Sequence, residues 1–323
     1  MLRTLRIPFE YALARIALAV VPRLARPRIL SLARVLGRLS YRFSKHQRRI
    51  GLANLALVFP EQTIAHHQAI LIKSLQSFAL AMLDTFWLAR DTQSRIRDLV
   101  RFDPDFERTI LKPGAQICIT AHLGNWEVLG LSVSQRGYPL ASVAAPIKNP
   151  WVDRLFNNLR HLTGQRTVPK QGALRALIKT LRSGDKIALV LDQNIKPAHG
   201  GLFVDFFGRK APFSAAAAQL SLRTGAPALI GACIADEQGH YTTLPVQSIS
   251  NEGLPASETE AVLEMTRRIA HGLENLIRQN PTYWLWTYKR WKMMPPGEDP
   301  ARYPFYTRPV RPGDLPAGGA DPS

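Results

Sequence analysis

Ile117-Cys-Ile-Thr-Ala-His-Leu-Gly-Asn-Trp-Glu127 is the most informative run in the chain. Its opening residues are apolar or β-branched and read as a strand that ends at His122. Gly124 lets the backbone turn tightly, and Asn125 suits the N-cap of a helix over about 125–136. A strand that feeds a helix through so short a turn is the building unit of an α/β sheet.

The same texture repeats downstream. Strands are expected at 139–144, 186–191, 201–207, 228–234 and 241–246, and helices at 150–163, 171–183, 212–224 and 257–279. Gly184-Asp185 and Gly225-Ala-Pro227 supply stop signals after two of those helices. This alternation argues for an α/β sheet covered by helices. Upstream, Pro60 closes a short apolar segment that begins at Asn54, and residues 64–90 read as a long helix. Leu71, Leu75, Phe78, Met82 and Phe86 line one side of it, with Leu80, Leu83 and Trp87 spreading apolarity around it, so it is buried or lines a hydrophobic groove. Residues 295–323 hold eight Pro and four Gly and are expected to form a flexible tail.

The chain has 323 residues, 46% hydrophobic and 20% charged, which excludes disordered and collagen-like classes and supports a packed core. No apolar run approaches the length of a multi-span membrane protein. Cys118 and Cys233 sit in strand-like apolar runs and read as buried thiols in a reducing compartment.

Charge is distributed unevenly. Residues 1–49 contain twelve Lys and Arg against the single acid Glu10, a net of +11 out of +18 for the whole chain. Such asymmetry suggests an encounter with a polyanion, either nucleic acid or an anionic membrane leaflet. Leu32, Leu36, Leu39 and Phe43 recur at helical spacing, while Arg34, Arg38 and Arg42 form a stripe on roughly the opposite side. Residues 5–43 therefore read as amphipathic helices lying on a membrane, with a single tilted anchor as the lesser alternative. Packing of these helices on the protein's own core, with the arginines solvated, is the plainer possibility. No nucleic-acid recognition motif accompanies the charge.

His122 and Glu127 carry the chemistry suggested by the opening run. Five residues apart in a regular helix they would diverge by about 140°. With His122 in the turn and Glu127 in the first helical turn they can converge, Glu127 holding Nδ1–H while Nε2 stays free as a base. That is the base half of a hydrolase triad without a serine, so the nucleophile would be a substrate hydroxyl. The helix N-terminus would offer backbone N–H groups to a developing oxyanion. A core histidine beside an acid that complements the helix dipole is the simpler alternative. No GxSxG, GxxxxGK[ST], HExxH or paired CxxC supports a rival chemistry.

The run His122-Leu-Gly-Asn-Trp-Glu127 resembles the H-x4-[DE] box of the lysophospholipid and glycerolipid acyltransferase superfamily, in the version of the late, lauroyl-type acyltransferases of lipid A biosynthesis. Further stretches agree in order: Asn54 to Pro60, Pro146-Ile-Lys-Asn-Pro150, Leu191-Asp-Gln-Asn194, Gly201 to Gly208, Arg223 to Pro227 and Trp284 to Lys292. The similarity covers roughly residues 5–293. It implies a single glycerolipid-acyltransferase-like domain over 50–294 with a mixed sheet flanked by helices, preceded by the membrane-associating arm over 1–49 and followed by the tail. It also implies no cofactor and no metal, with an acyl group passing from acyl carrier protein or coenzyme A to a hydroxyl of a membrane glycolipid. A lipid A precursor is the expected acceptor, at the cytoplasmic face of a bacterial inner membrane, with no nucleic-acid partner.

On this resemblance His122 is the base and Glu127 its orienting acid. Asp192, just past a strand end where sites in α/β sheets gather, is a further site candidate, as are Gln193 and Asn125. Family members often carry an arginine where this chain has Ala145, so Lys148 is the nearest cation for an anionic acceptor, with Lys170, Arg175 and Arg209 as other candidates. Tyr288 stands where the family usually has His. Trp284, Trp286 and Trp291, interleaved with basic residues, either seat at a membrane interface or pack a last strand.

Overall fold

The computed structural model describes residues 14–144, 149–169 and 172–315. Its centre is a six-stranded sheet. In chain order the strands are β1 (Gln116–Thr120), β2 (Leu140–Ala144), β3 (Arg166–Pro169), β4 (Lys186–Val190), β5 (Ala228–Ile230) and β6 (Gln247–Ile249), arranged spatially as β6-β5-β1-β4-β2-β3. All neighbours run parallel except the edge strand β6. A mixed α/β sheet is thus observed, as expected. Ile117, Ile119 and Ile187 on the central strands share one face and are fully buried there, while Cys118 and Ala188 on the opposite face are partly buried against a second apolar cluster, so both faces of the sheet are covered.

The helices that matter for the site are α1 (Arg26–Phe43), α2 (Lys45–Val58), α3 (Ile64–Trp87), α4 (Trp126–Gln135) and α5 (Pro150–Leu162). By length and composition α3 could cross a membrane, yet half of its most apolar window is buried within the protein, where it packs along α1 and α2. This agrees with the reading of a buried helix. The short apolar segment expected from Asn54 to Pro60 is mostly the end of a longer helix, α2, with Ile50, Asn54, Leu55 and Val58 turned inward.

Three expectations change. The stretch 228–234 is not one strand: it splits at Gly231-Ala232 into β5 and a strand Cys233–Ala235, which joins Tyr241–Thr243 in a smaller sheet. A Cβ on Gly231 would lie 3.0 Å from the Phe106 ring, so the crossing backbone fits there only because the residue is small. The helix expected from residue 212 starts later: residues 209–214 instead pair antiparallel with Gly201–Phe206. Phe207 and Gly208, both at positive φ, make the two-residue turn, and a Phe-Gly pair lacks the usual Asn-Gly signature of that geometry.

The third concerns residues 295–315, which pack on the domain. Tyr303 and Asp314 are buried, Met293–Met294 pairs with Arg308–Pro309, and Asp314 is held by Arg308 at 2.6 Å and Lys196 at 2.9 Å. The expected arm is likewise joined to the domain over its described part. Ile29, Ala33 and Gly37 of α1 face α3 so closely that a Cβ on Gly37 would lie 2.5 Å from the Gln76 side chain. Its other face, with Val35, Leu36, Leu39 and Phe43, is exposed.

Candidate active site

The register of the sheet builds the site. Thr120, the last residue of β1, lies opposite Val190, the last of β4. His122 and Asp192 therefore leave the sheet side by side, each two residues beyond a carboxyl end, the position where α/β sheets gather reactive groups. His122 Nδ1 stands 2.7 Å from Asp192 Oδ1, and the His122 backbone N–H donates to Oδ2 at 3.0 Å. Trp284 Nε1 donates to the same Oδ2 at 2.8 Å. Asp192 is buried, while the His122 ring keeps 19% of its surface exposed.

Burial alone would disfavour an imidazolium at His122, but the Asp192 charge, its hydrogen bond and the more distant Glu127 outweigh it and raise the imidazole above its ordinary value. Burial likewise opposes ionisation of Asp192, and His122 together with the Trp284 and backbone donors overcomes it, holding the carboxyl below its ordinary value. A carboxylate on Nδ1 fixes that nitrogen as the proton carrier and leaves Nε2 as the basic lone pair. The Gln193 amide Nε2 lies 3.3 Å from His122 Nε2, and the Trp126 ring meets the imidazole edge-on at 4.6 Å.

Glu127 is not on His122, which corrects the expected pairing. It faces Arg160 of α5 instead, with the guanidinium donating at 2.7 Å and 3.2 Å, both side chains largely buried. The reason is geometric: the turn points His122 back toward β4, where a carboxylate already waits, while the first turn of α4 points Glu127 toward α5. Sequence reasoning missed Arg160, although it falls one helical turn after Phe156 in the inward stripe of α5, where a cation needs a partner.

Asn125 caps α4, its Oδ1 accepting from the Val128 N–H at 3.0 Å. The expected supply of free N–H groups at this helix start is smaller than it looked. Gly124 donates to Tyr283 O, Asn125 to Cys233 O, and Val128 to the cap. Gly124 itself has φ +60°, and a Cβ there would lie 1.9 Å from the Cys233 carbonyl oxygen.

The aromatic-basic block is internal, so its membrane-interface reading is withdrawn. Trp284, Trp286, Trp291 and Arg290 are buried. Trp284 steadies Asp192, and Arg290, whose guanidinium burial pushes down to about 10, donates at 2.6 Å to Asn194 in the loop that carries Asp192 and Gln193. Tyr288 also serves that loop, its hydroxyl accepting from the Asn194 N–H at 3.0 Å. Arg209 opens the strand just after the hairpin turn and donates to the Gly208 and Arg302 carbonyls, away from His122 and Asp192. Arg175 is exposed on its helix, and Lys148 and Lys170 lie outside the described residues.

A base oriented by a carboxylate at paired strand ends, with no serine or cysteine hydrogen-bonded to it among the described residues, suits transfer to an external hydroxyl. Residues 2–293 match the family model described as bacterial lipid A biosynthesis acyltransferase. The chain belongs to this family. The acyltransferase is 26% identical over 265 residues to the lipid A biosynthesis myristoyltransferase of Escherichia coli (strain K12), covering 81% of this chain and 80% of that protein. It is 26% identical over 303 residues to the lipid A biosynthesis lauroyltransferase of the same organism, covering 88% and 91%. Similarity extends to the phosphatidylinositol mannoside acyltransferase of Mycolicibacterium smegmatis, 27% identical over 180 residues, 54% of this chain and 58% of that protein. Among solved structures, the 1-acyl-sn-glycerophosphate acyltransferase PlsC of Thermotoga maritima aligns with a TM-score of 0.34 and 14% identity over 78% of this chain and 98% of that one.

Proposed function

We propose that this acyltransferase moves a fatty acyl group from acyl carrier protein or coenzyme A to a hydroxyl of a lipid A precursor, working at the cytoplasmic face of a bacterial inner membrane. The observation that carries the reading is the His122–Asp192 pair, because it presents a lone pair at Nε2 with its countercharge already in place. Nε2 takes the proton of the acceptor hydroxyl as its oxygen attacks the thioester carbonyl. A C–O bond forms, the C–S bond breaks, and the imidazolium returns the proton to the departing thiolate. Asp192 keeps the tautomer and stabilises the imidazolium. The Gln193 amide, beside Nε2, is the donor for the carbonyl oxygen as it gains charge. Glu127 contributes negative charge to the site and fixes Arg160.

The membrane reading is supported by α1, whose outward face alternates exposed Val35, Leu36, Leu39 and Phe43 with Arg34, Arg38 and Arg42. Apolar side chains entering an anionic leaflet flanked by arginines are the signature of a peripheral anchor. The likeness to a phosphatidylinositol mannoside acyltransferase supports a second acceptor class, another membrane glycolipid. Mass spectrometry of total lipids from cells with the gene, without it, and with His122→Ala tests both readings. Loss of one acyl chain from lipid A precursors in the last two supports the first, and loss from another glycolipid supports the second. An unchanged lipid profile in the deletion overturns both.

A further inference from the structure

A second chain of buried polar groups runs from the N-terminal arm to the catalytic turn. Arg26, in the first turn of α1, sends both terminal nitrogens to Asp84 near the end of α3, the second at 3.2 Å, and donates to the Gly239 carbonyl at 2.6 Å. The Tyr241 hydroxyl donates to Asp84 Oδ2 at 2.7 Å. Asn125 Nδ2 then donates to the same Tyr241 oxygen at 3.0 Å. Asp84, Tyr241 and Asn125 are each at most 1% exposed.

The direction of these hydrogen bonds is set at one end. Asp84, paired with Arg26, is an acceptor only, so the Tyr241 proton points at it. That leaves only lone pairs on the Tyr241 oxygen for Asn125. Asn125 must therefore offer Nδ2 there, which turns Oδ1 toward the Val128 N–H. A flipped amide would set two acceptors face to face at Tyr241 and two donors at Val128. Capping α4 needs just one side-chain oxygen, which Ser, Thr or Asp would supply. What Asn adds is the donor, and here that donor is used on Tyr241.

Resting on the reading of His122 as the base, we propose that Arg26, Asp84 and Tyr241 are positioning residues of this acyltransferase. The paired charge on Asp84 fixes the direction of the chain and so the Asn125 cap that holds the turn carrying His122. The arm then helps to set the reactive geometry as well as meeting its surroundings.

The test uses the full chain purified in detergent, with initial rates per folded molecule, both KM values and a thermal melt. Tyr241→Phe removes one hydroxyl and leaves Arg26 on Asp84, while Asn125→Ser keeps a capping oxygen and loses the donor. Each should lower kcat about tenfold, the size of one hydrogen bond to a positioned group, with both KM values unchanged. The double variant should be no slower than either single one, since both break the same link. Arg26→Lys should keep most of kcat and Arg26→Met should not. Wild-type kcat per folded molecule in Tyr241→Phe or Asn125→Ser, or losses that multiply in the double variant, overturns the proposal. If Tyr241→Phe does not fold, Asn125→Ser decides alone. Full activity in His122→Ala would defeat the reading of the site itself, whereas inactive His122→Ala beside fully active Tyr241→Phe defeats only the link.

Discussion

Asp192→Asn separates the observed partner of His122 from the one the motif suggests. Asp192 Oδ2 accepts two hydrogen bonds, from the His122 N–H at 3.0 Å and from Trp284 Nε1 at 2.8 Å, and Oδ1 takes Nδ1 at 2.7 Å. In the asparagine variant the two donors retain the amide oxygen at the Oδ2 position. The amide nitrogen is left at Oδ1, facing Nδ1 as a donor. Nδ1 must then accept, the proton moves to Nε2, and the base has no lone pair for the acceptor hydroxyl. The countercharge for the imidazolium is lost as well. We expect kcat/KM to fall toward the upper end of the about 10²- to 10⁴-fold that a positioned base supplies, roughly 3 to 5 kcal/mol. The residual rate carries a second signature. In wild type, activity should rise with pH as His122 loses its proton, with the midpoint expected above the ordinary 6.5 because Asp192 raises it. Without that charge, burial dominates and the midpoint moves to lower pH. The assay is initial-rate kinetics between pH 5 and 9 with labelled acyl donor, alongside a melt to confirm folding. A folded Asp192→Asn enzyme within about tenfold of wild type, with its midpoint unmoved, would refute the reasoning.

Glu127→Gln should be less damaging to the chemical step, with a smaller downward movement of the pH midpoint. It should cost stability as well, since it takes the charge partner from a largely buried Arg160; a midpoint shift larger than that of Asp192→Asn would return the orienting role to Glu127. Gly124→Ala combines a left-handed residue, about 1–2 kcal/mol on its own, with a Cβ placed against a backbone carbonyl, so the melting temperature should drop by several degrees and activity with it; a wild-type melt would show that the turn is looser than drawn. Replacing Leu36, Leu39 and Phe43 together by Ser should abolish salt-resistant binding to anionic vesicles, leave a salt-sensitive remainder from the arginines, and change the melt little. Undiminished sedimentation with vesicles at high salt would place the contact elsewhere.

Local signals carried most of the fold. The strand ending at His122, the tight turn at Gly124 and the cap at Asn125 are all short-range, and each lies where the residue types put it. The partner of His122 was not legible in that way, because it depends on Thr120 lying opposite Val190 across a sheet, 70 residues along the chain. Glu127 was the nearer acid in sequence, and nothing in a five-residue spacing shows that α5 holds an arginine for it. The tryptophan block stayed open between two readings for a related reason. Tryptophans beside Lys and Arg suit an interface and a core equally, until the buried carboxylate that needs Trp284 is known. On α1 Leu36, Leu39 and Phe43 are exposed, but the inward face is made of Ile29, Ala33 and Gly37, and small residues leave a weak hydrophobic signal where two helices approach closely.

The dependence of Asp192 on Trp284 has a consequence for how the enzyme comes into being. Leu123 bridges Trp284, the His122 carbonyl accepts from the Leu285 N–H, and Ser74 donates to the Trp284 carbonyl, so the segment after the last long helix clasps the reactive turn from behind. Contacts that span 92 to 210 residues are expensive to close and form late. A nascent chain can therefore assemble the parallel strands during synthesis while its histidine still lacks a settled carboxylate. The His122–Asp192 pair is complete only once residues 281–294 dock, so α1, with its outward Leu36, Leu39 and Phe43, is made well before the enzyme is competent.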